Sequence, residues 1–317
     1  MSEDCRVEQK TLEQKTVEQN RSEQNRSEQK MDFESVFRVP KEEMDKKIQA
    51  YVEDMKVTAE DVVRVMNTPQ RTPEWIKYRS NRMTASNYGS AAGHNPHSKP
   101  RQLLMSLLWD TFKGNAATEY GTKNEPVAAK VFETFALSYA KKQNADDDMS
   151  FYYPGLIICQ KEPWLAVSPD GLPCIKNKKT GKNVRYLLEI KCPFTKKLYP
   201  HIPHYYFDQI QGIMGILQLP YCDFVVWTPE KTQIRRYNFD SDYWSKVLYP
   251  RLHQFYFEEY LPRLILKKEG KLKQGELEPS LHIEKIDRPK LKFDFIWEPT
   301  TTRKRKAEDD ALDRKNV

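Results

Sequence analysis

No CxxC pair occurs in this 317-residue chain. Its five cysteines, Cys5, Cys159, Cys174, Cys192 and Cys222, are odd in number and widely spaced. That argues against a disulfide framework or a cysteine zinc site and points to a reducing compartment. Long apolar runs are missing too. The longest, such as IMGIL, stop far short of the roughly 20 residues a membrane helix needs, so no membrane association is expected. The first 30 residues have no apolar core segment, so no secretory signal is read there. They also lack any aromatic side chain, the first being Phe33. The expectation is a soluble intracellular protein.

What is present is polar and basic. Hydrophobic residues make up 38% and charged residues 31%, with a formal net charge of +7 and a pI near 8.9. This balance permits an anionic partner without establishing one. Glu-Gln recurs at 8–9, 13–14, 18–19, 23–24 and 28–29. On a helix a five-residue period advances about 500°, so the repeat spirals and forms no apolar stripe. Residues 1–35 are therefore expected to be a disordered tail, 36–280 the folded domain with an N-terminal helical part, and 281–317 an extended, mostly disordered basic tail. Within that last tail, Arg303 to Lys306 are four consecutive basic residues. Such a run reads as a nuclear import signal or a nucleic-acid contact, and places the protein in the nucleus.

Between the tails the periodicity alternates. Residues 41–66 read as a charged helix with Met44, Ile48, Tyr51 and Met55 in line. NTPQRTPEW (67–75) breaks it, and a helix follows Pro73. LLMSLLW (103–109) reads as a core helix. The stretch 117–140 gives a helix after Gly121, with Pro126 in its first turn and Val127, Val131, Phe135 and Ala136 buried. GLIICQ (155–160) and WLAVSPDG (164–171) read as a hairpin, and VRYLLEIKCP (184–193) as a third strand. A helix at 204–219, two strands at 221–229 and 232–240, and an aromatic helix at 242–266 bent at Pro250 complete the order. The result is α-β-β-β-α-β-β-α, an α/β (α+β) fold with a mixed central sheet flanked by helices.

The polar residues can now be placed. Side chains two apart on a strand share a face, so Leu187, Glu189 and Lys191 point one way and Leu188, Ile190 and Cys192 the other. Asp170 ends the preceding strand. Paired as a hairpin, the two strands would bring Asp170 to Glu189. Two adjacent carboxylates repel, and a divalent cation relieves this. A bound cation makes a nucleophile of its water and offsets charge on a leaving oxygen, as phosphodiester hydrolysis requires. Lys191 suits an attacking water or phosphate charge, and Glu125 is the candidate third acid. Separately, DG is a common turn, ExK a common solvated strand face, and a glutamate at a helix start a common dipole effect. Together their spacing points to a metal nuclease.

Two basic features fit a phosphate backbone. Between 176 and 197 lie eight basic residues and one acid, Glu189. Arg79 and Arg82 add charge beside Thr84 and Ser86. The bland alternative for NKKTGK (177–182) is a solvated hairpin turn.

SPDGL (168–172) and LEIKCPFT (188–195) resemble the PD-(D/E)XK nuclease signature. With EWIKYRSNRMTAS (74–86), GTKNE (121–125) and YFDQIQ (206–211), they are similar, in order, to the phage lambda exonuclease or YqaJ-type viral recombinase family. The resemblance implies a restriction-endonuclease-like core and a 5′–3′ exonuclease. Such an enzyme digests duplex DNA from a 5′ end and leaves 3′ single strands for recombination or repair. It implies Mg²⁺, or Mn²⁺, at two ions. Asp170, Glu189 and the Ile190 carbonyl would be ligands, with Glu125 serving the second metal, Lys191 the attacking water and Gln209 supporting from its helix. Arg79, Ser86, Ser168 and Lys197 match phosphate-binding positions. At Lys197 the family often has arginine, whose planar fork lysine lacks. Implied partners are double-stranded DNA ends, a single-strand annealing protein and copies of the chain in a ring, a trimer among the options. The alternatives are an endonuclease on the same core and a non-cutting DNA-binding accessory protein.

Other residues read as structural. The pairs His94/His97 and His201/His204 lack ligand-spaced cysteine or carboxylate partners and read as loop histidines. Cys192 reads as a buried thiol. Tyr243, Trp244, Phe255 and Tyr256 read as core.

Overall fold

The computed structural model describes residues 37–109, 114–276 and 295–297. The Glu-Gln repeats and the Arg303–Lys306 run lie outside the described residues.

The first helical segment is two helices. α1 (Lys41–Asp54) stops before α2 (Ala59–Asn67) because Thr58 caps α2 in a reciprocal box with Asp61. α3 (Pro73–Arg79) starts at the expected proline behind the cap Thr72. β1 (Met83–Thr84) follows, then a 3-10 turn over Ala85–Asn87 and a short helix Tyr88–Ala91. α4 (Pro100–Trp109) buries Leu103, Leu104 and Leu108.

α5 spans Ala116–Gln143 and begins five residues before Gly121. Asn115 is the reason. Its side chain accepts the N–H groups of Ala117 and Thr118 at 3.0 Å, and Thr118 Oγ1 accepts the Asn115 N–H in return. Pro126 and Glu125 therefore lie in the helix interior rather than its first turn. The buried stripe is also offset by one residue from expectation. Ala128, Phe132, Ala136 and Ala140 face inward, while Val127 is 48% exposed.

β2 (Asp147–Ser150) is followed by β3 (Ile157–Ile158) and β4 (Leu165–Val167), which pair antiparallel as the expected hairpin. The expected third strand is divided. β5 (Cys174–Asn177) intervenes, and 184–193 splits at Tyr186 into β6 (Asn183–Arg185) and β7 (Leu187–Lys191). β6 pairs with β5, and β7 pairs parallel with β8 (Tyr221–Trp227). α6 (His204–Leu217) makes the crossover between β7 and β8. β9 (Thr232–Asn238) and β10 (Phe295–Trp297) complete a mixed four-stranded sheet ordered β10-β9-β8-β7.

Strand alternation sorts this sheet into two faces. Leu188, Ile190, Val225 and Ile234 pack with Phe132 of α5. Leu187, Phe224 and Val226 join Ile210 and Ile213 of α6 and the C-terminal aromatics. Those aromatics ride on a helical run over Ser241–Lys268. It bends through two π-helical segments, each followed within two residues by proline, Pro250 and Pro262, whose missing N–H the wider turns accommodate. Tyr243, Phe255 and Tyr256 are buried there as core. The helix Tyr88–Ala91 meets the start of α6 backbone to backbone. A Cβ added to Gly89 would stand 2.4 Å from Tyr205 Cα.

Candidate active site

Asp170 and Glu189 meet, though not by a hairpin. The strands before and after them touch through one antiparallel bridge, Gly171 to Leu188. That bridge carries Asp170 alongside β7, where its Oδ2 accepts the Ile190 N–H at 2.7 Å. Glu189 faces α6 and is fully buried. Gln209 Nε2 donates to Glu189 Oε1 at 2.6 Å, and Lys191 Nζ pairs with the same oxygen. Lys191 Nζ also lies 4.7 Å from the centre of the Tyr206 ring. Tyr206 precedes Gln209 by three positions and so shares its helix face.

Burial, then the neighbouring Glu189 charge, pushes the Asp170 carboxyl well above the usual carboxylate range. Burial likewise raises Glu189 against the pull of Lys191. For Lys191, burial opposes the charge, but the two carboxylates outweigh it and hold the ammonium ionised. Glu189 Oε2 is buried with no hydrogen-bond partner among the described residues. An anionic oxygen in that position is costly unless a cation completes it. The donor set, hard oxygens with one orphaned, fits a divalent ion such as Mg²⁺. Among the described residues no three His, Cys, Asp or Glu side chains gather into a ready metal cluster. Further ligands would be backbone or water oxygens.

These groups line an open cavity of about 870 Å³. Arg79, Ser86 and Ser168 line the same cavity. Arg79 donates to Thr84 Oγ1 at 2.9 Å and to Ser86 Oγ at 2.7 Å. Its guanidinium stacks 4.9 Å over Trp75, whose Nε1 donates to Ser168 Oγ at 3.2 Å. Burial lowers the pKa of Arg79, and its Nε is left without a partner. The wall is thus a held cation flanked by two hydroxyls, a geometry suited to phosphate.

Glu125 also lines the cavity, its Oε2 3.3 Å from Arg71 Nη2. Lys197 is exposed and lies outside the cavity lining. Arg82 does not contribute charge to the phosphate wall. It is buried and donates to the carbonyls of Met55, Tyr78 and Pro163. The NKKTGK segment is an exposed turn held by the Asn177 side chain. Lys178 there pairs with Asp148. Cys192 is buried, and burial pushes its thiol up to about 12. His94 departs from expectation. It is buried with its Nδ1 2.9 Å from Asp208 Oδ2, and Tyr243 donates its hydroxyl to the other oxygen.

Comparison with known proteins adds a likeness. Residues 74–218, which hold every cavity residue named above except Arg71, match the model of the YqaJ-like viral recombinase domain. This stretch is similar to a YqaJ-like viral recombinase domain. Among curated relatives, an uncharacterized protein of Acanthamoeba polyphaga mimivirus is 28% identical over 178 residues, covering 52% of this chain and 30% of its own. A protein of African swine fever virus is 29% identical over 168 residues, covering 46% of each. The chain thus spans less than half the length of these relatives. Among solved structures, an alkaline exonuclease from Laribacter hongkongensis aligns with a TM-score of 0.45 at 23% identity, over 64% of this chain and 100% of that one. Its complex with dAMP aligns with a TM-score of 0.46 at 22% identity, over the same shares.

Proposed function

We propose that this YqaJ-like domain is a metal-dependent deoxyribonuclease that digests duplex DNA from a 5′ end and leaves a 3′ strand for recombination or repair. One juxtaposition carries the reading. A buried pair of carboxylates with an orphaned oxygen shares one cavity with an arginine held by the hydroxyls of Thr84 and Ser86. The first suits a divalent cation and the second a phosphate.

Asp170, Glu189 and the Ile190 carbonyl would hold Mg²⁺ or Mn²⁺, with Glu125 beside a second ion. Such an ion activates water and offsets charge on the departing oxygen. Lys191 keeps its proton between two carboxylates and can orient a water or a phosphate oxygen from the cavity wall. Gln209 fixes the Glu189 carboxylate by occupying one oxygen. Arg79, Ser86 and Ser168 would seat the terminal phosphate of a DNA end in the cavity that Asp170 and Glu189 also line. A ring of copies and a single-strand annealing partner belong to the same proposal, and light scattering of the purified protein tests the ring.

The deciding assay digests end-labelled linear duplex with and without Mg²⁺, beside covalently closed circles. Linear DNA lost from 5′ ends, circles left intact and an inactive Asp170→Ala variant are expected. Cut circles would favour an endonuclease on the same core. Equal activity in the Ala variant would end the assignment of this site.

A further inference from the structure

Arg71 has an unexplained conformation. Its φ is 69°, the left-handed region that an arginine enters at a cost glycine does not bear. The turn around it is rigid. Gln70 donates to the Pro154 carbonyl at 3.2 Å, and Thr72 caps α3 through the Trp75 N–H at 3.3 Å. Gly155 closes against the same turn, its N–H donating to Met66 O at 2.7 Å, with no room for a Cβ beneath Thr68. The fold therefore holds this backbone in place and projects Arg71 into the cavity. Among the described residues its ion-pair partner is Glu125, at 3.3 Å, with 54% of the arginine side chain exposed. An exposed ion pair of that length stabilises little and does not account for an arginine at a position that favours glycine.

We propose that Arg71 is a second phosphate clamp, binding a backbone phosphate of the nucleic acid other than the terminal one. The inference rests on the nuclease reading and adds a contact to it. Arg79 is enclosed by two hydroxyls and a tryptophan ring and suits a single seated phosphate. Arg71 is open, eight residues earlier, on the rim of the same cavity. A strand running from Arg79 over Asp170 and Glu189 presents further phosphates, and the planar fork of Arg71 can exchange Glu125 for one of them. Glu125 then screens Arg71 when no nucleic acid is bound and is released toward the carboxylate pair when it is.

The test uses the left-handed backbone. Arg71→Gly removes the cation and relaxes the strain, so the variant is expected to melt no lower than wild type. Binding is measured to a 5′-phosphorylated blunt duplex in EDTA across a salt series. Arg71→Gly is expected to bind roughly 5- to 20-fold more weakly, and the slope of log K against log salt to shrink by about one. Arg71→Lys, which keeps the charge, is expected to keep the slope. Wild-type affinity and slope in Arg71→Gly would overturn the clamp, as would a slope lost equally in Arg71→Lys or a Gly variant melting below wild type. If the wild type neither binds nor digests duplex DNA, the nuclease reading falls and the clamp with it. If the wild type binds and cuts while Arg71→Gly matches it, only the clamp falls.

Discussion

Gln209 Nε2 donates to Glu189 Oε1 across 2.6 Å, inside the protein, and so ties α6 to β7 at the carboxylate that most needs a fixed orientation. Gln209→Leu keeps the volume and removes the donor. Partners that orient a ligating carboxylate typically contribute 10- to 100-fold to activity or metal affinity, so a loss in roughly that range is expected. A Mg²⁺ titration of duplex digestion checks it, and the midpoint is expected to move to higher Mg²⁺.

The carboxylate pair makes the metal-free fold sensitive to pH. Asp170 and Glu189 have folded pKa values raised above 3.8 and 4.5, chiefly by burial. The folded state therefore keeps protons that the unfolded chain releases, and stability falls as pH rises from about 4 toward the raised values. Asp170→Asn still offers an oxygen to the Ile190 N–H and carries no charge. It is expected to flatten this decline and to stabilise the metal-free protein at pH 8 by on the order of 1 kcal/mol. Urea unfolding in EDTA at pH 5 and pH 8 measures the difference. Stabilisation by added Mg²⁺ is expected to shrink in the same variant.

Away from the cavity, Asp223 and Arg236 face each other across β8 and β9 in a two-pronged pair at 2.7 and 2.8 Å. Asp223 is buried, and 22% of the Arg236 side chain is exposed. Asp223→Ala removes the carboxylate from a guanidinium that also lies over the Tyr186 and Tyr221 rings, and a loss of about 3 kcal/mol is expected. Replacing both residues with valine is expected to recover most of it. Chemical denaturation of the single and double variants provides the measurement.

Cys192 follows Lys191 yet behaves as core. Burial pushes its thiol up to about 12, so almost no thiolate forms at pH 8. Iodoacetamide is expected to label Cys192 in urea and to spare it in the native protein, as read by peptide mass mapping.

Much of this arrangement was legible in the chain because local rules carry it. Two-residue alternation from Leu187 to Cys192 assigned the two faces of β7, and helical spacing assigned Ile210 and Ile213. Short-range cues misplaced the start of α5. Its cap is Asn115 with threonine, not glutamate or glutamine, three residues on, so the usual start pattern is missing. β5 was hidden because four residues beside a lysine-rich turn give too little periodicity to distinguish strand from loop. The fates of Arg82 and His94 depend on partners 81 and 114 positions away in the chain, and no local pattern encodes those. Arg71 was hidden for a related reason. Its conformation depends on Pro154 and Gly155 closing over the turn.

The contact of Gly89 with Tyr205 governs how two parts of the cavity are held together. Ser86 lies three residues before Gly89, and Gln209 lies four after Tyr205. The segment that carries Ser86 is thus pressed against the helix that carries Gln209, with no side chain of Gly89 between them. The relative position of Ser86 and Gln209 is therefore set by a backbone approach, and any residue larger than glycine at 89 would push the two apart.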